Sequence, residues 1–286
     1  MWKQKLGISL GNRYEIPTEQ VVGLVGKIGF DAISPVWEAQ VDLRPVIEAA
    51  RQSGLALQSL HGPVRGADAI WSEDTTVSGP AMTQILEALE DCHAYEIPVM
   101  VLHSWIGYRE IPAPTRAGLE HYEVLIKKAE AYGIRIAFEN AEGEEQLDAL
   151  MKHFADCPTV GYCWDSGHEM CYNHSEDLLG KYGQHLIMMH LNDNLGISRF
   201  DGMIQGRDDI HLLPFDGIAD WEDNVKRLLR CPALEYLNFE VKIKSKPGRL
   251  ESLHYERMGL EIYMTECYKR ACKIADMMRR GALHET

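Results

Sequence analysis

Short apolar runs rich in Ile and Val recur along the chain, separated by longer stretches whose apolar residues fall at helical spacing. This is the pattern of repeated β-α units. The runs predict eight strands, over Lys5–Leu10, Ala32–Val36, Ala56–His61, Pro98–His103, Ile134–Glu139, Val160–Asp165, Leu186–Leu191 and Tyr236–Val241. Between them the spacing predicts helices such as Thr18–Ile28, with Thr18 as N-cap, and Thr115–Tyr132, stopped by Gly133. The stretch Tyr255–Arg280 carries Met258, Ile262, Cys267, Tyr268, Cys272, Ile274 and Met277, and predicts the last helix or helices of the ring.

An alternating chain of this kind forms either an open doubly wound sheet or a closed barrel. The open sheet is normally accompanied by a nucleotide-type glycine loop after a strand, and none is present. Eight units therefore predict a single-domain (β/α)8 TIM barrel over residues 1–286, a length within the range of that fold. No linker or low-complexity tract divides the chain. The longest non-repetitive stretches, Gly62–Ser78 and Asn192–Asp220, both follow strands, which puts them on the C-terminal face where barrel sites are built.

The chemistry is concentrated at strand ends. Six consecutive predicted strands end in a residue able to bind a metal: His61, His103, Glu139, Asp165, His190 and Glu240. In a barrel these ends face one another across the mouth, so residues far apart in sequence become neighbours. Clustered carboxylates repel, and a divalent cation is the usual way to neutralise them, with imidazole adding a nitrogen ligand. Glu139, Asp165, His190 and Glu240 are therefore the predicted metal site, while His61 and His103 serve equally well as ligands or as neutral donors. In Trp164-Asp165-Ser166-Gly167-His168, Asp165 ends the strand and the small residues turn His168 back toward the mouth, toward substrate or a second metal. Asp209 and His211, two apart, would face one side of an extended chain as a further ligand pair.

Composition narrows the field. With 43 acidic against 29 basic residues the formal charge is −14, and no Lys/Arg-rich groove stands out, so nucleic acid is not an expected partner. No run approaches the roughly eighteen apolar residues of a membrane helix, and the N-terminus lacks an apolar signal core, so the expectation is a cytoplasmic protein without a membrane partner. The seven cysteines include no Cys-x-x-Cys pair, which points to free thiols in a reducing compartment rather than thiolate-bound zinc.

Taken in order, Phe138-Glu139-Asn140, Trp164-Asp165-Ser166-Gly167-His168, His190-Leu191-Asn192-Asp193-Asn194, His211-Leu212-Leu213-Pro214 and Phe239-Glu240-Val241 resemble the xylose isomerase-like barrel superfamily, particularly its sugar phosphate isomerase/epimerase group. The resemblance implies that Glu139, Asp165, His190 and Glu240 hold one divalent ion, Mn2+, Mg2+ or Zn2+. It also implies that His168 contacts substrate, together with Glu145, six residues after Glu139. His61 and His103 are further substrate-binding or metal-binding candidates. The chain departs from the ketose epimerases after His190: they place an arginine six residues on, where this sequence has Gly196, with Arg199 and Arg207 further along.

The implied activity is a metal-dependent sugar or sugar phosphate isomerase/epimerase. It would work through an enediolate, with Glu139 and Glu240 removing and returning the proton. Trp37, Trp71, Trp105, Tyr108, Phe200 and Phe215 are candidates to line the pocket against a sugar, no phosphate handle is evident, and a homo-oligomer is allowed. Two alternatives stay open. A dehydratase would share the metal and the enediolate start. An endonuclease IV-like zinc phosphodiesterase is the other, since the chain is similar to that enzyme at His61, His103, Glu139, Asp165, His168, His190, Asp209, His211 and Glu240.

Overall fold

The computed structural model describes residues 4–11, 14–108, 111–201 and 203–284. Strands β1 (Lys5–Leu10), β2 (Ala32–Pro35), β3 (Ala56–Leu57), β4 (Leu60–His61), β5 (Val99–His103), β6 (Arg135–Glu139), β7 (Val160–Asp165), β8 (Leu186–His190) and β9 (Tyr236–Phe239) are all parallel. They run in two arcs, β3-β2-β1-β9 and β4-β5-β6-β7-β8. Backbone hydrogen bonds join the arcs at both seams. Trp37 N donates to His61 O at 2.8 Å on one side, and Leu191 N to Asn238 O at 2.8 Å on the other.

The ring is therefore a closed barrel in which β3 and β4 together make the third of eight strands. The predicted strand Ala56–His61 is divided because Gln58 and Ser59 leave the ladder between them. Gln58 Nε2 reaches Met188 Sδ at 3.3 Å across the lumen, and Ser59 Oγ donates to Ser34 Oγ at 2.9 Å. Asn238 completes this polar layer by donating to Ser9 Oγ at 2.9 Å and accepting from Ser34 Oγ.

Side chains two apart on a strand share a face. Val101, Ala137, Cys163 and Met188 pack together inside the ring, apart from the large core between ring and helices. One step further along the same strands stand His103, Glu139, Asp165 and His190, with Glu240 two residues beyond Asn238. Uncharged residues below and ionisable residues above are thus one feature of strand geometry.

The helices α1 (Thr18–Ile28), α2 (Arg44–Gln52), α3 (Thr75–Tyr95), α4 (Arg116–Tyr132), α5 (Glu144–His153), α6 (Ser166–Cys171), α7 (Leu178–Tyr182), α8 (Trp221–Leu229), α9 (Leu253–Met258) and α10 (Leu260–His284) form the outer layer. Thr115 caps α4 by accepting from Gly118 N at 3.1 Å, and Gly133 ends it at φ 68°. Thr18 is not a cap: it is the first helical residue, and Pro17 holds the cap position without a side-chain hydrogen bond. The closing helix is broken at Gly259, whose φ of 79° interrupts the ladder between α9 and α10. The stretch Gly62–Ser78 is partly helical, with a 3-10 turn at Ala69–Trp71 and the start of α3. None of the described helices is long and apolar enough to cross a membrane.

One buried ion pair ties this outer layer to the site. Arg227 on α8 grips Glu169 on α6 with two bonds of 2.7 and 2.8 Å, and Trp164 Nε1 donates to the same carboxylate at 2.8 Å. Removing one partner of such a pair strands the other in a low-dielectric setting. Arg227→Leu is expected to lower stability by about 3 kcal/mol, read as a fall in the denaturant midpoint; an unchanged midpoint would show that the pair holds nothing in place.

Candidate metal centre and active site

Glu139 ends β6 fully buried, and the surrounding strand ends turn imidazoles toward it. Its Oε1 lies 2.9 Å from His190 Nδ1 and 3.4 Å from His168 Nδ1, and its Oε2 lies 3.2 Å from His61 Nε2 and 3.3 Å from His103 Nε2. His190 Nδ1 is also 2.8 Å from Glu240 Oε2, so this imidazole sits between the two carboxylates. On the neighbouring loop, Asp209 Oδ1 lies 2.6 Å from His211 Nε2 and 3.6 Å from His168 Nε2.

Second partners fix three of these rings. His61 Nδ1 donates to Gly62 O, His168 Nδ1 to Asn140 O and His211 Nδ1 to Glu240 O, each at 2.9 Å. A carbonyl can only accept, so whenever one of these rings is neutral its proton sits on Nδ1 and its Nε2 lone pair faces the carboxylates. That is the arrangement by which proteins orient histidine for a metal.

The electrostatics point the same way. Burial would lower His168, but Asp165, Asp209 and Glu139 outweigh it and push the ring up to about 9. Burial would likewise raise Glu139, yet His190 and His103 hold its carboxyl well below the usual carboxylate range. In the absence of an ion the cluster thus gathers protons as its positive charge. Glu139 Oε2 and Asp209 Oδ1, although close to imidazole nitrogens, have no well-aligned hydrogen bond. Each is a buried carboxylate oxygen left open beside imidazole nitrogens.

Three groups bring one ligand atom per residue within 4.8 Å of one another: His61, Glu139, His190 and Glu240; His103, Glu139 and His168; and Asp165, His168 and His211. The donor set and the misaligned carboxylate atoms fit a divalent cation. The predicted quartet of Glu139, Asp165, His190 and Glu240 is therefore distributed over adjoining groups, with His61 standing beside Glu139, His190 and Glu240 and Asp165 beside His168 and His211.

Asp165 also builds the site. Its Oδ1 accepts from Gly167 N at 2.8 Å and His168 N at 2.7 Å, capping α6 and aiming His168. Asn192 Nδ2 donates to both its oxygens, at 3.1 and 3.0 Å. Residue 167 has to be glycine, because a Cβ there would collide with Asn192 Oδ1. Asn140 clasps the same turn, accepting from Asp165 N at 2.8 Å and donating to Asp165 O at 2.9 Å.

Asp193 organises the following loop, accepting from Phe215 N, Ala219 N and Trp221 Nε1 at 2.9–3.0 Å. Asp209 and His211 do meet, but through a left-handed turn at His211, φ 46°, rather than an extended chain. Such backbone strain costs on the order of 1–3 kcal/mol and persists where its surroundings over-determine it.

Above the cluster lies an open cavity of about 320 Å³, bordered by His61, His103, His168, Asp209, His211 and Glu240. Glu142, Tyr108 and Tyr172 line it too, with the two tyrosine hydroxyls 3.4 Å apart. Glu145 does not: it is exposed in the first turn of α5, and the buried Glu142, three residues after Glu139, takes the place expected for it. Of the aromatic candidates only Tyr108 borders the cavity. Trp37 and Trp71 are core residues bonded to Asp91 and to Ser104 O, Trp105 packs over Gly143, Phe200 is 91% exposed, and Phe215 packs against Trp221 with the rings tilted.

Sequence reasoning also missed Lys242, Lys244 and Lys246, which line the cavity, so the expectation of no basic groove fails locally. The signal was there: these lysines continue the alternation of Glu240 past the end of its strand.

The comparisons agree with this architecture. Residues 22–253 match the family model described as xylose isomerase-like TIM barrel. Among solved structures the chain is similar to D-psicose 3-epimerase from Clostridium cellulolyticum H10, solved with D-tagatose, at 16% identity and a TM-score of 0.69 over 97% of this chain and 99% of that one. It is similar to D-allulose 3-epimerase from Methylomonas sp. at 14% identity and 0.71, covering 96% and 99%. It is similar to an L-ribulose 3-epimerase at 13% identity and 0.73, covering 99% and 98%. At these identities the likeness is one of fold. A stretch of 119 residues is 34% identical to the uncharacterized protein y4fM of Sinorhizobium fredii (strain NBRC 101917 / NGR234), spanning 41% of this chain and only 35% of that protein. The family match covers most of the chain and the closed parallel ring agrees with it: this chain belongs to the xylose isomerase-like TIM barrel family.

Proposed function

We propose that the protein is a divalent-metal-dependent epimerase or isomerase of a small ketose or aldose, moving a proton at a carbon next to the carbonyl. The observation that carries this reading is the pair of carboxylates Glu139 and Glu240 on either side of His190 Nδ1, set beneath a cavity of sugar size. The names of the similar solved structures, ketose 3-epimerases, support it. Glu139, His190 and Glu240, with Asp165 and His61 as the adjoining donors, would hold Mn2+, Mg2+ or Zn2+, which when bound polarises a carbonyl and stabilises developing oxyanion charge.

Glu240, which reaches the cavity, takes the proton from the substrate carbon. Glu139, sealed below, returns it through the same cluster or sets the charge that Glu240 works against. His168, held by Asn140 O, and Glu142, Tyr108 and Tyr172 hydrogen-bond substrate hydroxyls. Glu139→Gln and Glu240→Gln are each expected to slow exchange of the substrate α-hydrogen with deuterated solvent by on the order of 10²–10⁴-fold. Undiminished exchange in either variant removes that residue from proton transfer.

A second reading rests on one observation: His61, His103, Glu139, Asp165, His168, His190, Asp209, His211 and Glu240 form one continuous set across the three ligand groups and the contacts of Asp209. This is the donor inventory of a multi-zinc phosphodiesterase. Elemental mass spectrometry of protein reloaded separately with Mn2+ and Zn2+ decides between them. About one ion per chain, retained in His103→Ala, agrees with sugar chemistry, whereas about three zincs, lost in His211→Ala, transfers the assignment to phosphodiester cleavage.

A further inference from the structure

The loop that follows β9 reads Lys242-Ile243-Lys244-Ser245-Lys246, and all three lysines border the cavity. Resting on the sugar reading above, we propose that they form a subsite for an anionic group, so that the substrate is an acidic sugar, carrying a phosphate or a carboxylate at the end remote from its carbonyl.

Three observations carry this. First, the placement is selective: the chain as a whole bears −14, yet alternate positions of one loop at the cavity are all cationic. Second, the three lysines are not equally engaged. Lys242 Nζ and Lys246 Nζ converge on one oxygen, Asp209 Oδ2, at 3.2 and 3.1 Å, while the other oxygen of Asp209 faces His211 and His168. Lys244 is exposed and makes no ion pair among the described residues, and Ser245, also at the cavity, has a hydroxyl with no hydrogen-bond partner. Third, the loop is tied down. Lys242 N donates to His211 O at 3.0 Å and Lys246 Nζ to Gly206 O at 2.7 Å, so the ammoniums are carried on a fixed segment beside the metal-type ligands. Loops after the last strands of a barrel are where such folds commonly take phosphate.

The arrangement separates charge within one cavity. Carboxylates at the floor suit the cation and the reacting end of the substrate; ammoniums at the rim suit its far end. A neutral ketose leaves the rim unused.

The test titrates the metal-loaded protein with D-fructose, D-fructose 6-phosphate and D-fructuronate in a calorimeter, at low and at physiological ionic strength. The anionic ketoses are expected to bind on the order of tenfold more tightly than D-fructose, with the margin shrinking as salt rises. In Lys244→Gln and in the Lys244→Gln/Lys246→Gln double variant the ratio of anionic to neutral affinity falls toward one, and Lys244→Arg restores it. A larger margin for the phosphate assigns the subsite to phosphate, and for the uronate to carboxylate; either supports the proposal. Equal affinity for all three ketoses, or a preference untouched in the double variant, overturns it. Because Lys246 also holds Gly206, Lys244→Gln is the variant that decides if the double variant unfolds. Inorganic phosphate titrated alone separates this inference from the sugar reading: lysine-dependent phosphate binding in a protein that exchanges no sugar hydrogen upholds the subsite and rejects the sugar.

Discussion

The constraint on which the site depends is the complete burial of the Glu139 carboxylate at the end of β6. A charge withdrawn from water into a protein interior is costly unless it is met by opposite charge and by hydrogen bonds. The barrel meets it by symmetry of construction: neighbouring parallel strands end at the same height, so each can present an imidazole to the same carboxylate. His61, His103 and His190 do so from the strands on either side, and His168 from the helix that follows β7. The cluster stays soluble in the protein only as a charge-balanced unit, by protons or by a metal ion.

Holding that unit in place takes a second tier of residues whose role is geometric. Asp165 caps α6 and so directs His168, Asn140 and Asn192 hold Asp165, and Gly167 leaves room for Asn192. Backbone carbonyls fix the rings of His61, His168 and His211. Asp193, accepting from Phe215 N, Ala219 N and Trp221 Nε1, shapes the segment that delivers Asp209 and His211. The left-handed turn at His211 strains the chain where two ligands two residues apart must converge on neighbours.

Much of this is legible in the sequence because strand geometry has a period of two. Apolar runs ending in His103, Glu139, Asp165, His190 and Glu240 identify both the barrel and its mouth, since a parallel ring converts strand ends into neighbours. The third strand was less legible: Gln58 and Ser59 read as part of the run, but their side chains belong to a polar layer within the lumen and break the ladder. What lies beyond the strand ends was hidden for a different reason. Loop residues such as Glu142 and Tyr172 have no periodic environment to betray them, and carrying over the spacing of relatives selected Glu145, which the turn of α5 directs to solvent. Aromatic type was an equally weak guide, because Trp37 and Trp71 complete the core by finding partners for their indole N–H groups.

The lysine loop shows why bulk composition can mislead about a site. A net charge of −14 describes the average surface field, which decays over about 8 Å at physiological ionic strength. Inside a concave cavity the nearest groups dominate instead, and here they are graded: Glu139 at the bottom, Glu240 at the floor, Asp209 with its histidines at the wall, and lysines at the rim. An elongated molecule with an anionic end experiences this gradient as a torque as well as an attraction, entering with its charged end at the lysines and its neutral, reacting end over the carboxylates. On the proposed reading, orientation of that kind would be worth most to a proton transfer between carbons that differ only in position along the substrate, because the far end would set which carbon comes within reach of the carboxylates.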